Sequence, residues 1–160
     1  MTSLIRLLAR QLYHMSKSGE QNYQIKLNWV KASQFIANDG RGHTIVIDTP
    51  LESGGEGSGP SPGRLLLMAL AGCTAIDVVD ILKKSRQKLT ALEIQSRGIQ
   101  ESNHPRYYKE IHLKYILRGK DLVESRVARA IQLSEEKYCS VGATLKGRAK
   151  IMTSYEILDD

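Results

Sequence analysis

The sequence contains two cysteines, Cys73 within an apolar run and Cys139, 66 positions later. That spacing is too long for a CxxC redox motif or a local metal-binding knuckle. The two thiols are therefore either separate core residues or a pair that the fold brings together. Every functional hypothesis for this chain depends on that choice.

Two aspartates follow Cys73 along the same predicted helix. Asp77 lies one turn and Asp80 two turns after Cys73, so the three side chains share a stripe. Carboxylates in an apolar helix are unfavourable unless they are paired or hydrogen-bonded. Asp77 could accept the thiol proton, although its negative charge disfavours a thiolate and then requires a nearby cation. Alternatively, both aspartates cap neighbouring backbone groups or pair with Lys or Arg across an interface.

The helix that carries Cys73 has a clear start in the sequence. Ser61 and Pro62 supply an N-cap and a first-turn proline, and the helix is predicted to end near Arg86. It is apolar nearly all round over residues 65–82, so it must be buried in a core or an interface. Only 12 uncharged residues, 65–76, precede Asp77. A membrane span needs about 20 apolar residues, so we predict no membrane insertion.

Alternating apolar and polar residues predict strands on both sides of this helix. The predicted strands are 23–29, 35–37 and 43–48 before the helix, and 89–101, 107–118 and 150–158 after it. Asn103, His104 and Pro105 form the predicted turn between the two long strands. Asp121 is the predicted N-cap of a second helix that ends near Tyr138, which puts Cys139 at a helix end. The loop 54–63 contains five glycines without a nucleotide-binding pattern, so it is interpreted as a flexible flap or crossover.

This order of elements predicts an α+β fold. We predict one domain over residues 20–160, preceded by an extension over residues 1–19. The first 14 residues are amphipathic and free of acids, which is typical of a presequence. A surface extension is the alternative. The predicted location is the cytoplasm, because two cysteines fit a reducing compartment. If the extension is a presequence, the predicted location is instead a mitochondrion or another organelle.

The composition is that of an ordinary globular protein, with 160 residues, 41% hydrophobic and 25% charged. The formal net charge is +6, but acidic residues are interleaved with the basic ones along most of the chain. A basic stripe interleaved with aromatic residues is not found, so we predict no nucleic-acid partner.

The residues around Cys73 resemble a known family. Residues 59–79 look like the central-helix signature of the OsmC/Ohr family, the osmotically inducible and organic hydroperoxide resistance proteins. The similarity continues through residues 136–141, around Cys139, and covers approximately residues 22–158. The resemblance implies an OsmC-like fold in which antiparallel sheets surround two helices per chain. It also implies an intertwined homodimer with the long helices packed centrally.

The resemblance further implies thiol peroxidase chemistry at the subunit interface. Cys73 would attack a small organic hydroperoxide and become a sulfenic acid. Cys139 would resolve that acid to a disulfide, which a small dithiol or protein reductant reopens. Neither a cofactor nor a metal is implied.

The sequence also departs from the family pattern. Hydroperoxide reductases of the family carry a glutamate directly after the proline at the helix start, together with an arginine. This chain has Gly63 at the glutamate position, and Arg64 falls on the helix face opposite Cys73. We therefore name Asp77 and Arg41 as supporting residues. These departures resemble the OsmC-like branch, so the alternative function is a non-catalytic dimer with a structural or small-ligand-binding role.

Overall fold

The computed structural model describes residues 23–160. Contacts divide the chain into two compact units, one that ends at Pro62 and one over Gly63–Asp160, and each is described by itself. The predicted extension over residues 1–19, with its amphipathic segment, lies outside the described residues. The single domain over residues 20–160 stays a prediction.

The first unit contains a small antiparallel sheet. Its strands are β1 (Lys26–Lys31), β2 (Gln34–Asn38) and β3 (Thr44–Ile47), hydrogen-bonded in that order. A 3₁₀ turn over Leu51–Ser53 follows. β1 begins three residues later than the pattern predicts, and its apolar side chains are exposed in this unit. The β-branched run at Thr44–Ile47 forms a strand, as predicted.

The second unit contains the long helix, a second sheet and two shorter helices. The elements are α1 (Pro62–Lys84), β4 (Lys88–Gln100), β5 (Tyr108–Lys120), α2 (Glu124–Leu133), a π-helical turn (Ser134–Tyr138), α3 (Ser140–Leu145) and β6 (Lys150–Leu158). β5 lies in the centre of the sheet, antiparallel to β4 and parallel to β6. The predicted α+β fold class is confirmed.

The core of the second unit follows the two periodicities of its elements. Along β5, alternate side chains are fully buried, as the period of two in a strand requires. On α1, the buried residues recur every four positions and form one stripe. The buried residues of the two elements are Ile111, Leu113, Tyr115 and Leu117 on β5, and Leu70, Thr74, Val78 and Leu82 on α1.

Three boundary and pairing predictions are corrected. The second sheet is mixed rather than purely antiparallel, because the helical connection between β5 and β6 returns the chain to the end where β5 began. α2 starts at Glu124 with Val123 as its N-cap, since β5 continues to Lys120 and Asp121 makes a left-handed turn with φ 54°. The long helix ends at Lys84, two residues before the predicted end.

By length and composition, α1 is a helix that could cross a membrane. The core helix of a soluble protein satisfies the same criteria. In the described residues, the buried stripe of α1 packs in one apolar cluster with β5 and α2. That packing is what a core helix requires.

Candidate functional site

α1 places Cys73 and Asp77 side by side at the edge of its buried stripe. The two residues are one turn apart, so their side chains project from the same side of the helix. Both are half-buried, whereas Thr74, which follows Cys73, and Val78, which follows Asp77, are fully buried. The thiol and the carboxylate therefore lie where the apolar core meets a more accessible surface.

Cys139 is positioned by the π-helical turn that precedes it. Its backbone N–H donates to the carbonyl of Ser134 at 2.9 Å, the five-residue spacing of a π-helix. Its sulfur accepts a hydrogen bond from the Gly142 N–H at 3.2 Å, which caps α3. A Cβ at Gly142 would lie 3.3 Å from that sulfur, so glycine allows the close approach. Cys139 is 3% exposed.

The structure brings together three of the side chains named from the sequence. The sulfurs of Cys73 and Cys139 and a carboxylate oxygen of Asp77 all lie within 4.8 Å of one another. Both cysteines are free thiols. Two residues 66 positions apart in sequence therefore form a local cluster, which we call the thiol cluster.

One hydrogen bond ties the thiol cluster to the π-helical turn. The hydroxyl of Ser134 donates to Oδ2 of Asp77 at 2.8 Å, and Ser134 is fully buried. Because the carbonyl of Ser134 also holds the backbone of Cys139, this one residue links the carboxylate to the second thiol. Within residues 23–160, Asp77 makes no salt bridge.

Two polar atoms close to the cluster are buried without a hydrogen-bond partner of normal geometry. They are the hydroxyl of Tyr115 and Oε1 of Glu135. The hydroxyl of Thr74, which interacts with Tyr115, donates its own proton to the Ala71 carbonyl at 3.1 Å. Buried polar atoms are usually paired, so this neighbourhood retains capacity for a water, an ion or a ligand.

The same surroundings alter two pKa values. Burial, followed by the interaction with the Cys73 thiol, raises the pKa of Cys139 from 9.0 to about 12. Burial also raises the pKa of Tyr115 from 10.0 to about 12; the interaction with Thr74 opposes this rise, and the nearby Glu135 and Asp77 carboxylates add to it. At neutral pH both groups keep their protons.

A small cavity of about 90 Å³ opens beside Cys139. Its walls come from α1, β5, the π-helical turn, α3 and β6, and they are mainly apolar with three charged residues. The charged residues are Glu135, Glu136 and Lys146. The ammonium of Lys146 donates to the backbone carbonyl of Glu135, which fixes it at the cavity wall.

The hydroxyl of Tyr108, from another element, lies beside Gly63, the position at which the resemblance implies a glutamate. A Cβ at Gly63 would lie 3.0 Å from the hydroxyl of Tyr108. The same tyrosine ring packs over Gly98, where a Cβ would come within 2.4 Å of it. A larger residue at position 63 would therefore require Tyr108 to move, which sequence reasoning did not reveal.

The two arginines named from the sequence lie in different units of the chain. Arg64 lies in the first turn of α1 and is exposed. Arg41 lies in the first unit, in the turn between β2 and β3, where its N–H donates to Oδ1 of Asp39 at 2.8 Å. Its role as a supporting cation stays a prediction.

The chain has one cysteine on its long helix, a second at the start of a short helix, and a mixed set of helices and strands, which agrees with the resemblance to OsmC/Ohr proteins. The family model for OsmC-like protein matches residues 55–154. The chain belongs to this family.

Among curated proteins, the chain is 40% identical over 136 residues to Protein YhfA of Escherichia coli strain K12, covering 84% of this chain and 98% of that protein. A solved structure described as a hypothetical protein from Aquifex aeolicus is 31% identical, covers 88% of this chain and 99% of its own, and has a TM-score of 0.79. A structure from Legionella pneumophila described as an organic hydroperoxide resistance protein OsmC is 15% identical, covers 87% and 99%, and has a TM-score of 0.64. At that identity it shows the fold alone.

Proposed function

We propose that this chain is a thiol peroxidase that reduces organic hydroperoxides, with Cys73 as the attacking residue and Cys139 as the resolving residue. The observation that carries the proposal is the proximity of the two free sulfurs within 4.8 Å. Membership of a family that includes hydroperoxide resistance proteins supports it.

Burial distinguishes the roles of the two thiols. Cys73 is half-buried and within reach of a small substrate, whereas Cys139 is 3% exposed and protected. A thiol that meets the peroxide must be accessible, and a resolving thiol needs only to reach the first sulfur. This difference supports Cys73 as the residue that reacts first.

The reaction balances with the groups of the thiol cluster. The Cys73 sulfur attacks an oxygen of the hydroperoxide, the O–O bond breaks, and Asp77 transfers the thiol proton to the departing alkoxide, which leaves as an alcohol. The Cys139 sulfur then attacks the Cys73 sulfenic acid. An S–S bond forms, the S–O bond breaks and the hydroxide leaves as water with the Cys139 proton. A dithiol or protein reductant restores both thiols by exchange.

We also propose that the protein works as a homodimer in the cytoplasm, without a nucleic-acid or membrane partner. Side chains on the outer face of α1 are exposed although they are apolar, including Met68 at 57% and Ile76 at 67%. Large exposed apolar patches are typical of interaction sites, which supports a second copy packing against this helix. Two free thiols fit a reducing compartment.

One experiment tests the enzymatic proposal. Reduced protein is mixed with one equivalent of cumene hydroperoxide, and free thiols and intact mass are followed with time. We expect the wild type to lose both thiols and two hydrogens. Cys139→Ser should gain oxygen on Cys73, whereas Cys73→Ser should keep its remaining thiol.

The outcome that would overturn the proposal is a wild type whose thiols persist for minutes, or a Cys73→Ser variant that oxidises as fast as the wild type. Circular dichroism of each variant checks that it is folded. Hydrogen peroxide in place of cumene hydroperoxide checks the substrate class, since we expect the organic peroxide to react faster in the apolar surroundings of α1.

A non-catalytic dimer that binds a small ligand is the second candidate. Two observations favour it. No salt bridge reaches the thiol cluster within residues 23–160, and a cavity of about 90 Å³ lies beside Cys139. Unreactive thiols in the experiment above would select this candidate.

A further inference from the structure

Three side chains of the thiol cluster offer atoms that bind metal ions. Cys73 and Cys139 contribute sulfurs and Asp77 contributes a carboxylate oxygen, all within 4.8 Å of one another. They come from α1 and from the end of the π-helical turn, 66 positions apart along the chain. Spacing in the sequence therefore does not predict the site, and only the fold creates it.

We propose that the thiol cluster binds one borderline-soft divalent cation, such as Zn²⁺, per chain. Two thiolates and one carboxylate are a typical partial ligand set for zinc, which takes four ligands in a tetrahedron. Bond lengths of about 2.3 Å to sulfur and about 2.1 Å to oxygen place tetrahedral donors roughly 3.5–3.8 Å apart. Donors already within 4.8 Å need only small side-chain rotations to reach that spacing.

The carboxylate is held in place for this role. The Ser134 hydroxyl donates to Oδ2 of Asp77 at 2.8 Å, and the lone pairs on the carboxylate that this bond does not use are left for a cation. Hydrogen bonds that orient a metal ligand in this way raise affinity in known sites. Ser134 is fully buried, so its hydroxyl is shielded from water.

A place for the fourth ligand also exists. Cys139 lines the cavity of about 90 Å³, and Glu135 lines it as well. Oε1 of Glu135 is buried without a hydrogen-bond partner. A metal-bound water in the cavity could donate to this oxygen, which would complete four-coordination and satisfy the orphan acceptor.

The charges balance as zinc requires. Binding releases the two thiol protons to solvent and leaves two thiolates beside the Asp77 carboxylate. Zn²⁺ reduces these three negative charges to one, and Lys146 at the cavity wall is the nearby cation that the described residues supply. No electron is transferred, so no oxidant or reductant is needed.

This site and the peroxidase reaction use the same sulfurs, so each excludes the other. A bound cation occupies the lone pairs that would attack a peroxide, and a disulfide removes two of the three ligands. The inference does not require the chain to be a peroxidase, because the metal titration below involves no peroxide.

The test uses the full chain, reduced and freed of metal with a chelator. We expect Zn²⁺ alone to bind with a stoichiometry of one per chain by isothermal titration calorimetry. We expect Co²⁺ to give the intense sulfur-to-metal absorption and visible bands of a tetrahedral thiolate site. Cys73→Ser, Cys139→Ser and Asp77→Asn should each weaken Zn²⁺ binding at least tenfold, and Ser134→Ala roughly tenfold to a hundredfold.

Asp80→Asn is the matched control, because Asp80 lies three residues after Asp77 on α1 and is exposed. It should bind Zn²⁺ as the wild type does. Retention of full affinity in the Cys73→Ser and Cys139→Ser double variant, or a Co²⁺ spectrum without sulfur bands, would overturn the proposal. Unreactive thiols toward peroxide together with normal metal titration would reject the enzyme and keep the metal site.

Discussion

Two carboxylates, the fully buried Asp48 of the first unit and the half-buried Asp77 of the second, differ in how many hydrogen bonds they accept. Asp48 in the first unit is 1% exposed and accepts hydrogen bonds from the N–H groups of Thr49, Glu56 and Ser58 and from the hydroxyl of Ser58, at 2.8–3.1 Å. Asp77 in the second unit has one such bond, from Ser134.

The neighbours of the two carboxylates differ in the same way. Donors surround Asp48, and they satisfy a negative charge completely. Asp77 has two thiols and two orphan polar atoms close by. Saturated hydrogen bonding is what a structural carboxylate requires, whereas unsatisfied groups are available for a substrate or an ion. The contrast supports the thiol cluster of the second unit as the candidate functional site.

Replacement of the saturated carboxylate should have the largest effect. Asp48→Asn leaves one acceptor oxygen and turns an NH₂ group toward N–H donors. We expect Tm at pH 7 to fall by roughly 5 °C or more, measured by circular dichroism. Glu52→Gln removes the same charge from an exposed position in the same loop and should leave Tm nearly unchanged.

Acid titration sharpens this first test. Burial raises the pKa of Asp48, but the hydrogen bonds from Ser58, Thr49 and Glu56 outweigh burial and lower it from 3.8. A lowered pKa in the folded state stabilises the fold above pH 3.8, and that contribution is lost as pH falls through the folded value. The Tm difference between wild type and Asp48→Asn should therefore shrink below pH 3.8. A difference that is constant with pH would contradict the ionised, hydrogen-bonded carboxylate.

The sequence predicted the elements of the second unit better than it predicted either carboxylate's surroundings. The period-two pattern of β5 and the long apolar run of α1 are local, so they could be read directly from the sequence. The donors to Asp48 lie up to ten positions away in a glycine-rich loop that was interpreted as a flap. Gly55 and Gly59 there approach backbone oxygens so closely that a Cβ would lie 2.0 Å and 2.3 Å from them.

The geometry of the candidate site was predictable only in part. The resemblance pointed to Cys73 and Cys139, but the π-helical turn before Cys139 was predicted as ordinary helix. Ser134 is the first residue of that turn. Its hydroxyl donates the hydrogen bond to Asp77, which lies 57 positions earlier in the sequence. The parallel direction of β6 and the short helix α3 were also missed, because both depend on where preceding elements end in space.

Removal of the single bond to Asp77 should have an intermediate effect. Ser134→Ala deletes a buried hydroxyl that donates to a carboxylate. We expect the free energy of unfolding to fall by about 1–2 kcal/mol, since hydrogen bonds to charged groups contribute about 1.5–3 kcal/mol and Asp77 is only half-buried. Urea denaturation measures the change. Ser125→Ala, on the exposed side of α2, is the control, and an equal loss in both variants would contradict a specific role for Ser134.

Removal of an orphan hydroxyl should have the smallest effect, and of the opposite sign. Tyr115 is fully buried in the core, yet its hydroxyl has no partner of normal geometry. Tyr115→Phe keeps the ring and deletes an unsatisfied group, so the free energy of unfolding should stay the same or rise by up to about 1 kcal/mol.

Urea denaturation beside Tyr155→Phe checks this expectation, because the Tyr155 hydroxyl does donate, to Glu124 at 3.2 Å. That variant should show no gain. A clear loss of stability in Tyr115→Phe would mean that the hydroxyl is satisfied in solution, for example by a water in this neighbourhood. In that case the Tyr115 hydroxyl would be hydrogen-bonded, as the Asp48 carboxylate is. The contrast between the two units would then not hold for this atom, because the thiol cluster would not be open to a ligand there.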